Sequence, residues 1–284
     1  MHISHAFAVA AVVAPAALQA ATPARLTPLL EADRAWSRAA QGRNLVDGLS
    51  AMFDEYGVLV GGGSPELARG PAAIRARLAA RPENATSTVE WQPVGGGIST
   101  DGTQGFTYGA LTVRPKEGAP LLQKYLAYWV KRPAGWRVFA YKRVGRQAAG
   151  ELRVAPAIIG TSRHRDDAIA TLKQSEKAFS DEAQQIGLRA AFKKWGRPDS
   201  INIGAEEAVA IGSEAIGNGV GGPEPTSSVT WAADEALVAG SGDMGLSYGL
   251  LHLNKPEAGR PATIPFFTVW ARPRAGDPWR YVAE

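Results

Sequence analysis

The sequence contains no cysteine and only four histidines, two of which lie within the first five residues. The absence of cysteine excludes disulfides, thiol chemistry and lipid attachment through a thiol. A zinc site or a Ser-His-Asp triad needs histidine close to its partners, and no such spacing is present. We therefore expect no metal and no cofactor, and we expect the chain to be held together by packing alone.

Charge is weak and long apolar runs are missing. Thirty-one Lys and Arg against 27 Asp and Glu give a net charge of +4, spread along the chain. Nucleic-acid binding needs clustered positive charge, so we expect no nucleic-acid partner. No segment reaches the roughly 20 apolar residues that cross a bilayer as a helix, so we expect no membrane span.

The first 20 residues have the pattern of a signal peptide. A short apolar segment, Phe7–Ala14, is followed by small residues that end at Ala20. Such a pattern is typical of a secretory signal with a small-residue cleavage site. It predicts a periplasmic or secreted protein, released by cleavage near Ala20.

The rest of the chain repeats itself. Thr86–Trp91 matches Thr226–Trp231 at an offset of 140 residues, and the Tyr108-Gly pair matches Tyr248-Gly at the same offset. Large rings are costly to move in a close-packed core. The repeat therefore predicts two copies of one domain. All eight tryptophans fall on repeat-related aromatic positions: Trp91 with Trp231, Trp129 with Trp270, Trp136 with Trp279, Trp36 with Phe179, and Trp195 with Tyr56.

Each copy begins with helical spacing and continues with strand alternation. We expect helices at 27–41, 44–56 and 71–80 of the first copy, and four strands after them. This order predicts an α+β fold with two tandem cone-shaped domains, each with N-terminal helices packed on a strongly curved antiparallel sheet. The predicted boundaries are 1–20 for the signal peptide, 25–143 for the first domain, 144–165 for a linker and 166–284 for the second domain.

The motifs also carry a family resemblance. A tryptophan, a Gly-x-x-Tyr-Gly segment (Gly105–Gly109 and Gly245–Gly249) and an aromatic-rich strand follow one another in both copies. This order resembles the SnoaL-like, ketosteroid-isomerase-like branch of the nuclear transport factor 2 superfamily, and in particular its exported bacterial members of unknown function.

The resemblance implies a bent sheet wrapped round helices, with a pocket between them. Such proteins include isomerases, cyclases, dehydratases, small-ligand binders and inactive scaffolds, so the fold does not fix the function. Many of them dimerise through the outer face of the sheet. Two fused copies therefore imply either a monomer that contains an intrachain pseudo-dimer, or a homodimer.

Asp33 and Glu176 are the most informative polar residues. Both lie on the helix stripe that otherwise faces the core. A buried carboxylate must be paired, or its pKa rises and it becomes a candidate proton carrier. One interpretation is a pocket acid or base; the other, which we favour, is a tie between helix and sheet, with Arg137 and Arg280 as candidate partners.

Tyr108 completes a candidate catalytic pair with Asp33, because a phenol in the pocket can donate to a ligand oxygen. The alternative is a buried ring that bonds a neighbouring carbonyl. His252 is the sole histidine in a predicted strand. The candidate ligand-pocket residues are Trp36, Trp91, Tyr125, Trp129, Glu176, Phe179, Trp231, Tyr248, His252 and Trp270.

Three functional hypotheses remain open. The first is an exported protein that binds a small apolar or amphipathic ligand in one or both cones, and few convergent ionisable groups favour it. The second is an isomerase or dehydratase that uses Asp33 and Tyr108. The third is a structural or interaction module.

Overall fold

The computed structural model describes residues 23–61, 64–146, 150–163, 167–204, 208–273 and 277–284. The predicted signal peptide, 1–20, lies outside them. No helix among these residues is both long and apolar enough to cross a membrane.

The first half packs its helices against a seven-stranded sheet. The strand order is β2-β1-β6-β5-β4-β3-β7, antiparallel except for the β1/β6 and β3/β7 pairs. Its helices are α1 (Thr27–Ala40), α2 (Leu45–Ser50) and α3 (Gly70–Ala79), and its strands are β1 (Phe53–Leu59), β2 (Ala68–Arg69), β3 (Thr88–Ile98), β4 (Gln104–Arg114), β5 (Leu121–Arg132), β6 (Gly135–Gly145) and β7 (Ile158–Ile159).

The second half has a six-stranded sheet of the same kind. Its strand order is β10-β11-β12-β13-β8-β9, with β13 and β8 parallel. Its helices are α4 (Ala168–Ile186), α5 (Leu188–Trp195) and α6 (Ser213–Val220), and its strands are β8 (Gly196–Asn202), β9 (Ala210–Ile211), β10 (Val229–Val238), β11 (Met244–Leu253), β12 (Thr263–Ala271) and β13 (Arg280–Ala283).

The predicted α+β fold with two domains is confirmed. Both sheets are mixed, because the strand after the first two helices runs parallel to β6 in the first domain and to β13 in the second. The expected helix at 44–56 ends early: α2 stops at Ser50 and β1 begins at Phe53. Phe53, Val58 and Leu59 are buried in sheet positions, and this burial outweighs the helical spacing.

The connecting segment packs on the first sheet. Ile158 and Ile159 pair with Gly97 and Ile98 as β7, and Leu152 is buried. The limits 25–143 and 166–284 stay a prediction.

Equivalent residues occupy equivalent registers in the two sheets. Trp91 pairs with Leu111, and Trp231 pairs with Leu251. The register shift between 93 and 95 recurs between 233 and 235. Gly105 lets α1 approach the sheet closely, since a Cβ there would lie 2.7 Å from Leu29 Cδ2. The two halves therefore bury the same rings in the same architecture.

The outer faces of the two sheets pack against each other. One buried cluster joins Phe106 and Tyr128 of the first sheet to Leu246 and Phe267 of the second. At one edge of this contact the backbone N–H of Ser241 donates to Asp101 Oδ2 at 2.8 Å. The halves thus meet as an intrachain pair, and the predicted choice between a monomer and a homodimer stays a prediction.

Candidate functional site

Asp33 is held by three hydrogen bonds inside the first domain. Its Oδ1 accepts from the Trp91 indole at 2.6 Å, and its Oδ2 accepts from the Thr107 and Tyr125 hydroxyls at 2.7 Å each. The Trp129 indole donates to Thr107 Oγ1 at 2.8 Å and so fixes that hydroxyl. The carboxylate therefore ties α1 to three neighbouring strands.

Glu176 repeats this arrangement in the second domain. Its Oε1 accepts from the Trp231 indole at 2.6 Å. Its Oε2 accepts from the Ser247 hydroxyl and, at 3.0 Å, from the Trp270 indole. The helix-to-sheet tie thus occurs twice, with indole and hydroxyl donors.

Arg137 and Arg280 are not the partners of these carboxylates, and that expectation was wrong. Arg137 stacks over the Trp36 ring at 4.8 Å, and Arg280 lies 5.8 Å from the Trp195 ring centre. Both carboxylates are fully buried, whereas both arginines stay near the surface over an aromatic face. The indole N–H groups reach the buried acids because their rings already lie in the core.

Aromatic rings occupy the space beside Asp33. Tyr125 and Tyr141 stack with ring centres 6.0 Å apart, and Phe53 meets Tyr141 edge-on at 5.9 Å. The Tyr125 hydroxyl points at the carboxylate itself. In this cone aromatic side chains from the sheet occupy the space next to the carboxylate.

The second cone encloses a cavity of about 70 Å³ beside Glu176. By the repeat offsets, Phe266 stands where the first domain has Tyr125, and Glu284 stands where it has Tyr141. Phe266 has no hydroxyl to fill the space next to the carboxylate, and Glu284 has no ring. The lining residues are Glu176, Phe179, Leu188, Phe192, Val220, Val229, Trp231, Leu251, Phe266, Thr268 and Glu284.

A more open cleft of about 320 Å³ lies next to this cavity, and Val220 and Glu284 line both. Lys142 of the first domain also lines the cleft, with its ammonium 5.1 Å from the Phe267 ring centre. The first domain therefore contributes a residue to the cleft next to the second cone's cavity.

The electrostatics of the cavity are set by burial. Burial, together with the Glu284 carboxyl, raises the pKa of Glu176 to about 7, although the hydrogen bonds from Ser247, Trp231 and Trp270 oppose the rise. Burial also raises the pKa of Glu284, and the Lys142 charge opposes this. Glu284 Oε2 is buried without a hydrogen-bond partner. Two residues with carboxyl groups thus line one apolar cavity.

The raised pKa of Glu176 has a consequence for stability. Its ordinary pKa of 4.5 applies to the unfolded chain, so between pH 4.5 and about 7 the folded state holds the proton more tightly. We expect the contribution of Glu176 to the free energy of unfolding to be complete below pH 4.5 and to fall by about 3 kcal/mol as the pH rises through 7. Urea unfolding from pH 4.5 to 8 measures this fall.

Glu176→Gln is the control for that experiment, since the amide cannot titrate. The fall should be smaller in the variant, and the raised pKa values of Asp33 and Glu284 account for what remains. Parallel pH profiles for the two proteins would contradict the assignment.

The other sequence-predicted residues lie elsewhere. Tyr108 faces the opposite side of its sheet, where its hydroxyl accepts from the Ala155 N–H at 2.7 Å, so the structure does not bring it to Asp33. Tyr248 likewise faces the first domain and donates to Glu235 Oε2 at 2.7 Å. His252 is exposed. Trp36 is half-buried and donates to the Trp136 carbonyl at 3.1 Å.

Sequence reasoning missed Thr107, Ser247, Thr268 and Glu284. Strand side chains alternate between faces, so the residue before each motif tyrosine points at the carboxylate when the tyrosine points away. A hydroxyl residue at that place in both copies, Thr107 and Ser247, was the available signal. Glu284 could have been found as the counterpart of Tyr141.

A larger cleft lies apart from these carboxylates. It measures about 710 Å³ and runs from Pro65 to the ends of β11 and β12, and it shares no residue with the Glu176 cavity. Most of its lining residues have polar side chains, but most of the surface that they expose to the cleft is apolar. Among the residues that the structure describes, no group of three or more His, Asp or Glu is arranged to hold a metal ion.

No protein-family model matches the chain, and no curated protein matches it. Solved structures that are similar include a ketosteroid isomerase-like protein from Erwinia carotovora atroseptica, with 20% identity over 44% of this chain and 98% of that one, at a TM-score of 0.36. An NTF2-like protein with a cystatin-like fold from Novosphingobium aromaticivorans has 17% identity over 44% and 83%, at 0.32. A protein of unknown function from Pectobacterium atrosepticum has 24% identity over 43% and 91%, at 0.31. These neighbours are of the kind that the sequence motifs indicate, and the likeness concerns the fold and not an activity.

Proposed function

We propose that this is an exported protein whose second domain binds a small, mostly apolar molecule with one polar group in the cavity beside Glu176. The observation that carries the proposal is the difference between the cones. Tyr125 and Tyr141 fill the space beside Asp33, and Phe266 and Glu284 leave about 70 Å³ beside Glu176. Apolar cavities with a few polar groups are the usual form of small-ligand sites.

The dimensions limit the ligand. An apolar cavity of about 150 Å³ holds one benzene ring, so the enclosed part accepts roughly half of such a group. The rest of the molecule would extend past Glu284 into the cleft of about 320 Å³. A short aliphatic or small cyclic end with a longer outer part fits this shape.

The polar atoms limit its chemistry. Glu284 Oε2 has no hydrogen-bond partner, and Thr268 lines the same cavity. An unpartnered buried oxygen is costly, so a ligand hydroxyl or amine that reaches it gains the bond without displacing another. An anionic end would meet no cationic side chain among the residues that line the cavity.

A single added hydroxyl tests the proposal. Phe266→Tyr copies the first domain, where the Tyr125 hydroxyl lies 2.7 Å from its carboxylate, and the added hydroxyl should occupy the part of the cavity next to Glu176. We expect ligands found by thermal shift and native mass spectrometry, from a panel of small alcohols, ketones and amines, to bind the variant at least about tenfold more weakly, which equals about 1.4 kcal/mol.

Tyr125→Phe is the matched control, because it makes the opposite change in the first cone and should leave that binding unchanged. If no panel member binds the unmodified protein, or if Phe266→Tyr binds as well as it does, the proposal fails. Export is tested separately, by N-terminal sequencing of the mature protein from periplasm and medium.

The isomerase or dehydratase hypothesis has less support. A proton carrier needs an oxygen that can reach the substrate. All three hydrogen bonds to Asp33 come from buried side chains, and Tyr108 lies on the other face of the sheet. A role for Asp33 and Tyr108 as a catalytic pair stays a prediction that the geometry does not favour.

A further inference from the structure

Lys142 extends from the first domain into the contact between the two halves. It lies on β6, and the neighbours that share its face, Ala140 and Val144, pack with the cluster that joins the sheets. The side chain is half-buried, and its ammonium lies 5.1 Å from the centre of the Phe267 ring on β12. Its surroundings are therefore largely apolar.

The ammonium of Lys142 is held less firmly than that of its neighbour Lys124. Lys124 lies on the adjacent strand, is fully buried and donates to the Ala208 carbonyl at 3.2 Å. In the part of the chain that the structure describes, no hydrogen bond and no ion pair within 4 Å holds Lys142. Burial lowers the pKa of Lys142, and the Glu284 charge opposes this fall. A lysine in such a place keeps more of its amine neutral than a lysine in water does.

Lys142 is also accessible to small molecules, because it lines the cleft of about 320 Å³. This cleft opens to the surface, so a molecule from solution can reach the amine. Lys142 and Glu284 are the charged residues of its lining. The other lining residues are mainly apolar: Val144, Asn202, Ile203, Gly204, Ala210, Ile216, Gly219 and Val220.

A neutral lysine amine in an apolar pocket is a nucleophile for carbonyl compounds. The lone pair of Nζ attacks the carbonyl carbon, a C–N bond forms, and the carbonyl π electrons move to the oxygen, which is protonated to a hydroxyl. Departure of this hydroxyl as water, with loss of the remaining amine proton, leaves a C=N bond. The two substrates and the two products balance without an oxidant or a reductant.

The departing hydroxyl needs a proton, and Glu284 is the acid that lines the same cleft. Burial raises the pKa of Glu284, and the Lys142 charge opposes the rise, so each of the two groups feels the other. A carboxyl group next to a reacting amine can donate a proton to the leaving oxygen and take one from the nitrogen.

We propose that Lys142 forms a reversible imine with a small aldehyde or ketone that enters this cleft, and that Glu284 transfers the protons. The reaction needs no ligand in the Glu176 cavity. If no molecule binds that cavity, the result at Lys142 still stands or falls by itself.

Reductive trapping tests the proposal on the full chain. Sodium cyanoborohydride at neutral pH reduces an imine of butanone to a stable secondary amine, and peptide mass spectrometry then gives the rate of labelling at each lysine. We expect Lys142 to be labelled at least about tenfold faster than Lys116, which is exposed in the loop between β4 and β5. Equal or slower labelling of Lys142 would overturn the proposal.

Glu284→Gln tests the acid, because its two possible effects have opposite signs. Loss of the negative charge alone would lower the pKa of Lys142 further and speed its labelling. Loss of the proton donor should slow it, and we expect labelling at least about tenfold slower than in the unmodified protein. Glu31→Gln, at an exposed acid of α1, is the matched control and should leave the rate unchanged. Faster labelling in Glu284→Gln would contradict the role of Glu284.

Discussion

Replacing Asp33 with alanine should lower the free energy of unfolding by about 4 kcal/mol, because three buried donors lose their acceptor at once. The donors are the Trp91 indole and the Thr107 and Tyr125 hydroxyls, all within 2.7 Å of the carboxylate. Guanidinium unfolding followed by tryptophan fluorescence and by far-UV circular dichroism measures the change.

Glu31→Ala is the matched control for this substitution. Glu31 is an exposed acid on the same helix, and its replacement should change stability by less than about 0.5 kcal/mol. Asp33→Asn keeps an acceptor oxygen, so its loss of stability should lie between those of Asp33→Ala and Glu31→Ala. If Asp33→Ala cost no more than Glu31→Ala, the carboxylate would not be the tie between helix and sheet.

The second large effect concerns the contact between the sheets. Leu246 is fully buried in the cluster that joins the two halves. Leu246→Asp places a carboxylate there without a partner, and we expect a loss of stability of at least about 4 kcal/mol. Small-angle scattering should show a larger radius of gyration, because the halves separate while each retains its own core.

Ile264→Asp makes the same chemical change on the same sheet at a residue that is 46% exposed, and it should leave both stability and size nearly unchanged. An unaltered radius of gyration in Leu246→Asp would mean that the sheet faces do not hold the halves together. Complete loss of both cones would mean that neither domain folds without the other.

The tryptophans made the fold predictable. Trp91 and Trp231 sit in the same register of their sheets, as their 140-residue offset requires if the copies share a core. The first helix was predicted at 27–41 and is found at Thr27–Ala40. Patterns of large buried rings and helical stripes are local properties of sequence that burial preserves.

The site was less predictable, because it depends on which side chains oppose each other across the cone. The burial of Asp33 and Glu176 followed from the helix stripe. Their hydrogen-bond partners could not be predicted in this way. Whether Arg137 or the Trp91 indole bonds Asp33 depends on how deeply each side chain is buried, and the sequence repeat does not reveal that. To predict which face of the sheet carries Tyr108, the register of its strand must be known, because a shift of one residue moves the side chain to the other face.

The pairing of the two sheets within one polypeptide has a consequence for how such a protein changes over time. In an assembly of identical subunits, every substitution occurs at two symmetric positions, so a change that opens one core opens the other as well. Here Tyr141 and Glu284 occupy corresponding places and differ. Because the two copies are joined in one chain, each can change its sequence independently of the other. One copy can remain a rigid support while the other acquires a larger cavity and an additional charged side chain.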